Sequence, residues 1–120
     1  VLGHTKCGAV KGACDHIEMG NLTELLSKLQ PAVYQEKTTK GDRTSSNSSF
    51  VENVSKINVK RSVKSIIERS FILETMVENG SIGIVGAMHN IDTGKVTFYN
   101  DVMFIRDEKN PKFSVAELRY

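Results

Sequence analysis

The chain has 120 residues, 39% hydrophobic and 25% charged, which suits one compact domain and a globular rather than a disordered chain. A formal charge of +2, with Lys and Arg mixed among Asp and Glu, argues against a nucleic-acid surface or a polybasic membrane anchor. No apolar run reaches the ~18 residues of a membrane-spanning helix, so neither nucleic acid nor membrane is expected as a partner.

The chain opens on Val1-Leu2-Gly3-His4, which resembles no signal or transit peptide. Val1-Leu2 reads as a strand that begins abruptly and without methionine, so an upstream segment is expected. From Gly8 to Met19, apolar side chains at Ala9, Val10, Ala13, Cys14 and Ile17 recur as one buried helical face, which Gly20 ends. Asn21 and Glu24 have the spacing of a capping box, and Leu22, Leu25, Leu26 and Leu29 form the stripe of a second helix. Pro31 can open a further turn through Ala32, Val33 and Tyr34. Residues 37–49 are almost free of apolar side chains and read as an exposed polar loop.

Ser49 and Glu52 give a second capping box ahead of Phe50, Val54, Ile57, Val63, Ile66 and Ile67, the stripe of one long helix or two abutting ones. Ser70 restarts the helix for Ile72, Leu73, Met76 and Val77, and Asn79-Gly80 closes it as a C-cap. Ser81 to Ala87 is a short apolar run between turn residues, expected as a strand buried on both faces. Asp92-Thr93-Gly94 is a turn, and Val96, Phe98 and Tyr99 lie in the strand that follows, making a hairpin at a sheet edge. Residues 106–120 are charged, interrupted by Pro111, and expected as a tail on the surface or against a partner.

The fold class expected is α/β, with a mainly parallel sheet flanked by helices and a C-terminal β-hairpin edge, in a domain over residues 1–105. Only about three strands can be counted. A parallel sheet covered by helices normally has more, so the upstream segment is expected to supply them.

Cys7 and Cys14, if both lie on one helix, are roughly 10 Å apart along its axis, too far for a disulfide. Unpaired thiols suit a reducing compartment or a metal site, and a cytoplasmic location is expected, with periplasm or organelle left open. Gly3-His4-Thr5-Lys6-Cys7-Gly8-Ala9-Val10 puts an imidazole and a thiol between a strand and a helix start. Thiolate and imidazole are ligand types that zinc prefers, and a cysteine at a helix start has its thiolate favoured. The same two residues also fit a buried thiol capping a helix beside a hydrogen-bonded histidine.

The string at residues 3–10 resembles the second zinc-ligand motif of the β-class carbonic anhydrases. Asn53-Val54, Ser70-Phe71-Ile72-Leu73 where the family often has Ser-Pro-Ile-Leu, and Ile84-Val85-Gly86-Ala87-Met88 before the Asp92-Thr93-Gly94 hairpin resemble the family in the same order. The resemblance implies Zn2+ as cofactor, His4 and Cys7 as two of its three protein ligands, and the Gly8 amide as a substrate-positioning group. It implies zinc-assisted hydration of CO2 to bicarbonate and a proton, in a homodimer or higher homo-oligomer.

The family's third ligand lies in an upstream Cys-x-Asp-x-Arg motif, which this sequence lacks. No catalytic residue is therefore assigned here, since the Asp-Arg pair is missing, and the chain alone is expected to be impaired or inactive. His89 stands where the family commonly has tyrosine and reads as a turn histidine with a local hydrogen bond. Asp15, His16 and Glu18 read as a solvated helix face, and Lys6 and Lys11 as solvating lysines. The alternatives are a non-catalytic zinc-binding or protein-association module derived from a carbonic anhydrase, and a thiol redox role for Cys7.

Overall fold

The computed structural model describes residues 1–106, so the expected tail lies almost entirely outside the described residues. The order is β1 (Leu2–His4), α1 (Gly8–Cys14), α2 (Gly20–Ser27), α3 (Gln30–Gln35), α4 (Ser48–Arg69), α5 (Phe71–Glu78), β2 (Ile84–His89) and β3 (Val96–Phe104). The class is α/β, as expected, but the sheet is not mainly parallel. It runs β1-β2-β3, with β1 parallel to β2 and β3 antiparallel to β2.

The reason is local. The Asn90 N–H donates to the Lys95 carbonyl and the Gly94 N–H to the Asn90 carbonyl, both at 2.8 Å, and Gly94 takes φ 78°, so the turn sends β3 straight back along β2. β3 also runs further than its sequence pattern indicated. Its register slips where Tyr99 pairs with Gly86 and Met103 with Val85, and beyond the slip Val102 and Phe104 are buried with Val63, Ile67 and Val77. As the middle strand, β2 buries only Gly86 and Ala87 fully.

α4 is one helix of 22 residues that packs across all three strands. It comes close because two glycines face it. A Cβ on Gly3 would lie 2.6 Å from Val59 Cγ2, and one on Gly86 would lie 2.9 Å from Val59 Cγ1 and 3.3 Å from Val63 Cγ2. On its other side α4 sets Phe50, Val51 and Val54 against Val10, Ala13 and Cys14 of α1 and Ala32 and Val33 of α3.

Several ends differ from the sequence reading. α1 stops at Cys14 rather than Met19, because His16 adopts φ 53°, with the His16 N–H on the Ala13 carbonyl and the Ile17 N–H on the Gly12 carbonyl, both at 3.1 Å. That is a Schellman ending with histidine where glycine is usual, and Ile17 is consequently 39% exposed. The Asp15, His16 and Glu18 group therefore lies beyond the helix rather than along its face. Gly20 begins α2 instead of ending α1, and the Asn21 and Glu24 box gives way to Thr23 Oγ1, which accepts from the Met19 N–H at 2.6 Å. Ser49 is displaced as a cap by Asn47, whose side chain accepts from the Phe50 N–H at 3.3 Å. Of the leucine stripe only Leu26 is fully buried, while Phe71 and Ile72 of α5 stand in the open. The caps at Ser70 and at Asn79-Gly80 form as expected.

The polar loop is irregular but anchored. Glu36, at 2% exposure, accepts through Oε1 from the Thr38 N–H at 2.5 Å, Thr38 Oγ1 at 2.8 Å and the Thr39 N–H at 3.1 Å. Arg43 lies 3.7 Å from Glu36 Oε2, donates to the carbonyls of Thr39 and Val33, and covers the Phe50 ring at 4.6 Å. Burial, the largest single influence, raises the Glu36 pKa, but the hydrogen bonds from Thr39 and Thr38 together outweigh it and hold the group at about 2. Polar composition concealed this anchor, since its key carboxylate sits one residue before the loop.

Candidate functional site

β1 ends at His4, paired in register with His89 of β2. The chain must then reverse into α1 within three residues, and Lys6 makes the reversal at φ 55°, a left-handed conformation uncommon for a side-chain-bearing residue. Three contacts with the end of β2 and the β2–β3 connection hold this turn. The Thr5 N–H donates to the His89 carbonyl at 3.0 Å, the Ile91 N–H donates to Thr5 Oγ1 at 3.1 Å, and Lys6 Nζ lies 2.8 Å from an Asp92 carboxylate oxygen. That ion pair is 59% exposed on both sides, so it steadies the turn more than it stabilises the fold.

His4 is exposed, and its Nδ1 lies 2.9 Å from the Thr5 carbonyl oxygen. A carbonyl can only accept, so in the neutral ring this contact puts the proton on Nδ1 and leaves the Nε2 lone pair free. Cys7 is the residue before α1, with φ −67° and ψ 121°, and its side chain makes no cap hydrogen bond, so the expected alternative of a helix-capping thiol is not what forms. Cys7 is half-buried and unpaired. Gly8 is exposed, with no atom within 4 Å of where a Cβ would stand.

The turn thus presents an imidazole oriented as a metal ligand is, an uncommitted thiol, and open space beside Gly8. Among the described residues there is no group of three or more His, Cys, Asp or Glu side chains that could hold a metal. Cys14 does not supply the lack. It is 1% exposed at the far end of α1, and burial, aided by the Asp15 charge, pushes its thiol up to about 11, which keeps it protonated near neutrality.

A family model described as carbonic anhydrase matches residues 1–96, from β1 to the start of β3. The chain belongs to the carbonic anhydrase family. No curated protein matches it. For this carbonic anhydrase chain the donor types at the turn fit the zinc on which the β-class family generally depends, while the described residues nowhere gather the three donors a catalytic zinc site uses.

Of the other polar residues singled out from sequence, His89 borders the turn and the rest stay apart from it. Asp15 accepts from the Ser45 N–H at 2.7 Å and Ser45 Oγ at 2.6 Å, which ties the polar loop to the end of α1. His16 packs near Tyr34, ring centroids 6.3 Å apart. His89 is the last residue of β2 and not in a turn, and its carbonyl accepts from the distant Thr5 N–H rather than making a local hydrogen bond. Lys11 is on α1, away from the Lys6–Asp92 pair. Sequence reasoning passed over Thr5 and Asp92 as supports of the turn, because their partners lie 86 residues away along the chain.

Proposed function

We propose that His4 Nε2 and the Cys7 thiolate are two ligands of a catalytic zinc ion, and that the site serves the reversible hydration of CO2 to bicarbonate. The observation that carries this reading is the 2.9 Å contact of His4 Nδ1 with the Thr5 carbonyl, which leaves Nε2 of the neutral ring free, three residues before a thiol that caps nothing. When bound, zinc supplies the Lewis acidity that makes water nucleophilic near neutral pH, an effect for which carbonic anhydrases of another ligand class are the standard illustration. The residues of this chain hold and orient: Thr5 and Asp92 fix the turn, and the open side of Gly8 leaves room for substrate beside the backbone.

The third donor, and the Asp-Arg pair of the family motif, come from outside the described residues. With His4 and Cys7 alone the chain holds zinc weakly and turns over slowly or not at all. The exposed Leu2, Phe71, Ile72 and Phe98 support association with another copy, and two free thiols support a reducing compartment.

The test is metal content by mass spectrometry, with Co2+ substitution as the spectroscopic readout. Cys7→Ser should remove the thiolate-to-metal charge-transfer band and His4→Ala should weaken metal binding by about tenfold or more; an unchanged cobalt spectrum in both variants would overturn the assignment. A second reading, a non-catalytic zinc-binding module, is favoured by the lack of a three-donor group among the described residues. Zinc-dependent thermal stabilisation without CO2 hydration, in a sample supplied with every partner segment, would select it.

A further inference from the structure

A cavity of about 260 Å3 lies between the first half of α4 and the β2–β3 hairpin. Gly3 and Gly86 face α4, and Met88 and Tyr99 share that face through their register with them. By strand alternation His4 faces the other way, although Thr5, which holds the turn between the proposed zinc donors, also borders the cavity, so the two sites adjoin without sharing a donor. The cavity is smaller than the ~300–1,000 Å3 of drug-sized sites, and polar residues outnumber apolar ones along its lining, although more of the lining surface is apolar.

Two features of that lining narrow the ligand. Glu52 and Lys56 both border it and are one helical turn apart, a spacing at which Glu and Lys ordinarily pair. No ion pair joins them, and neither has an ion-pair partner among the described residues. Lys56 instead leans over the Tyr99 ring, 5.9 Å from its centroid, while Lys60 on the same ring is committed to Asp101 at 2.5 Å. Ser55, at 5% exposure, has a buried Oγ without a hydrogen-bond partner among the described residues. Asn90 spends Oδ1 on the Asp92 and Thr93 N–H groups and keeps its amide donors.

A cavity edged by one carboxylate and one ammonium that do not satisfy each other, with neutral donors between, matches a molecule carrying both charges. An anion alone would meet Glu52, and a cation alone would meet Lys56. We infer that this cavity binds a small free α-amino acid, its carboxylate toward Lys56 and its ammonium toward Glu52, with the hydroxyl of Ser55 and the amide of Asn90 available to its polar atoms.

Isothermal titration of the whole 120-residue chain with L-serine, glycine, N-acetyl-L-serine and L-serinamide tests this. L-Serine or glycine should bind, and blocking either charged end should weaken binding by about tenfold or more. Glu52→Gln and Lys56→Met should each cause a comparable loss; both side chains are exposed, so an unchanged far-ultraviolet circular dichroism spectrum is expected. Equal binding of N-acetyl-L-serine, which marks an anion site, equal binding of L-serinamide, which marks a cation site, no binding of any compound, or binding indifferent to both substitutions would each overturn the inference.

Discussion

Gly3→Ala probes the contact that sets β1, and with it His4, against α4. The added Cβ would stand 2.6 Å from Val59 Cγ2 and 3.1 Å from Met88 Cε, whereas carbon atoms rest at ~3.5–4.0 Å. Met88 can swing its methyl away, but Val59 is β-branched, 4% exposed, and already touches the Gly86 side of the sheet, so helix and strand must part by about 1 Å. Overpacking of this kind costs ~1–3 kcal/mol, partly offset by the lower unfolded-state freedom of alanine. A net loss of about 2 kcal/mol is expected. Val59→Ala alone removes two buried carbons, worth ~1.5 kcal/mol at ~0.8 each, and leaves a small cavity. In the double variant the new methyl occupies the space that Val59 vacates, so the losses should not add: about 2 kcal/mol in total rather than about 4. Urea unfolding followed by circular dichroism measures all four corners of this cycle. A Gly3→Ala protein within ~0.5 kcal/mol of the parent, or additivity within that margin, would refute the packing argument.

Glu36 should make stability depend on acid. Its folded pKa is depressed to about 2, so its contribution is complete above the unfolded value near 4.5 and is lost as pH falls toward 2; that contribution is at most about 3 kcal/mol. The difference in unfolding free energy between the parent and Glu36→Gln should shrink across that window, which separates Glu36 from Asp15 and Asp101, whose pKa values are also lowered; a difference independent of pH would contradict the assignment. Native alkylation near pH 8 should modify Cys7 well before Cys14, which is buried with its thiol at about 11; peptide mapping showing equal rates would count against both assignments. His16→Gly should raise the unfolding free energy by about 0.5–1 kcal/mol, because it removes the left-handed strain at φ 53° at the cost of the Tyr34 contact. A fall in stability would show that the Tyr34 contact outweighs the strain.

The parts of this molecule legible in its sequence are those decided within a few residues. Ser70 caps α5 through the Leu73 N–H three positions on, Gly80 ends that helix at φ 81°, and the Asp92-Thr93-Gly94 hairpin turns where its composition says. The zinc-motif resemblance is equally local, because its donors and glycines follow one another in a single run. Spacing also marked α1 and α2, but not their junction: the residue at the left-handed stop is histidine, and Gly20 serves as a beginning.

What the tertiary structure alone decided depends on groups far apart in the chain. Strand alternation cannot tell a parallel from an antiparallel neighbour, so the mixed sheet emerges only once β2 pairs with β1 on one edge and β3 on the other. Composition could not show that Glu36 is buried under Arg43, nor that Thr5 and Lys6 are held by Ile91 and Asp92. The same holds for His4. Its identity as a candidate ligand was readable from sequence, but which ring nitrogen is free follows from the position of one backbone carbonyl, and that position exists only after the turn has folded.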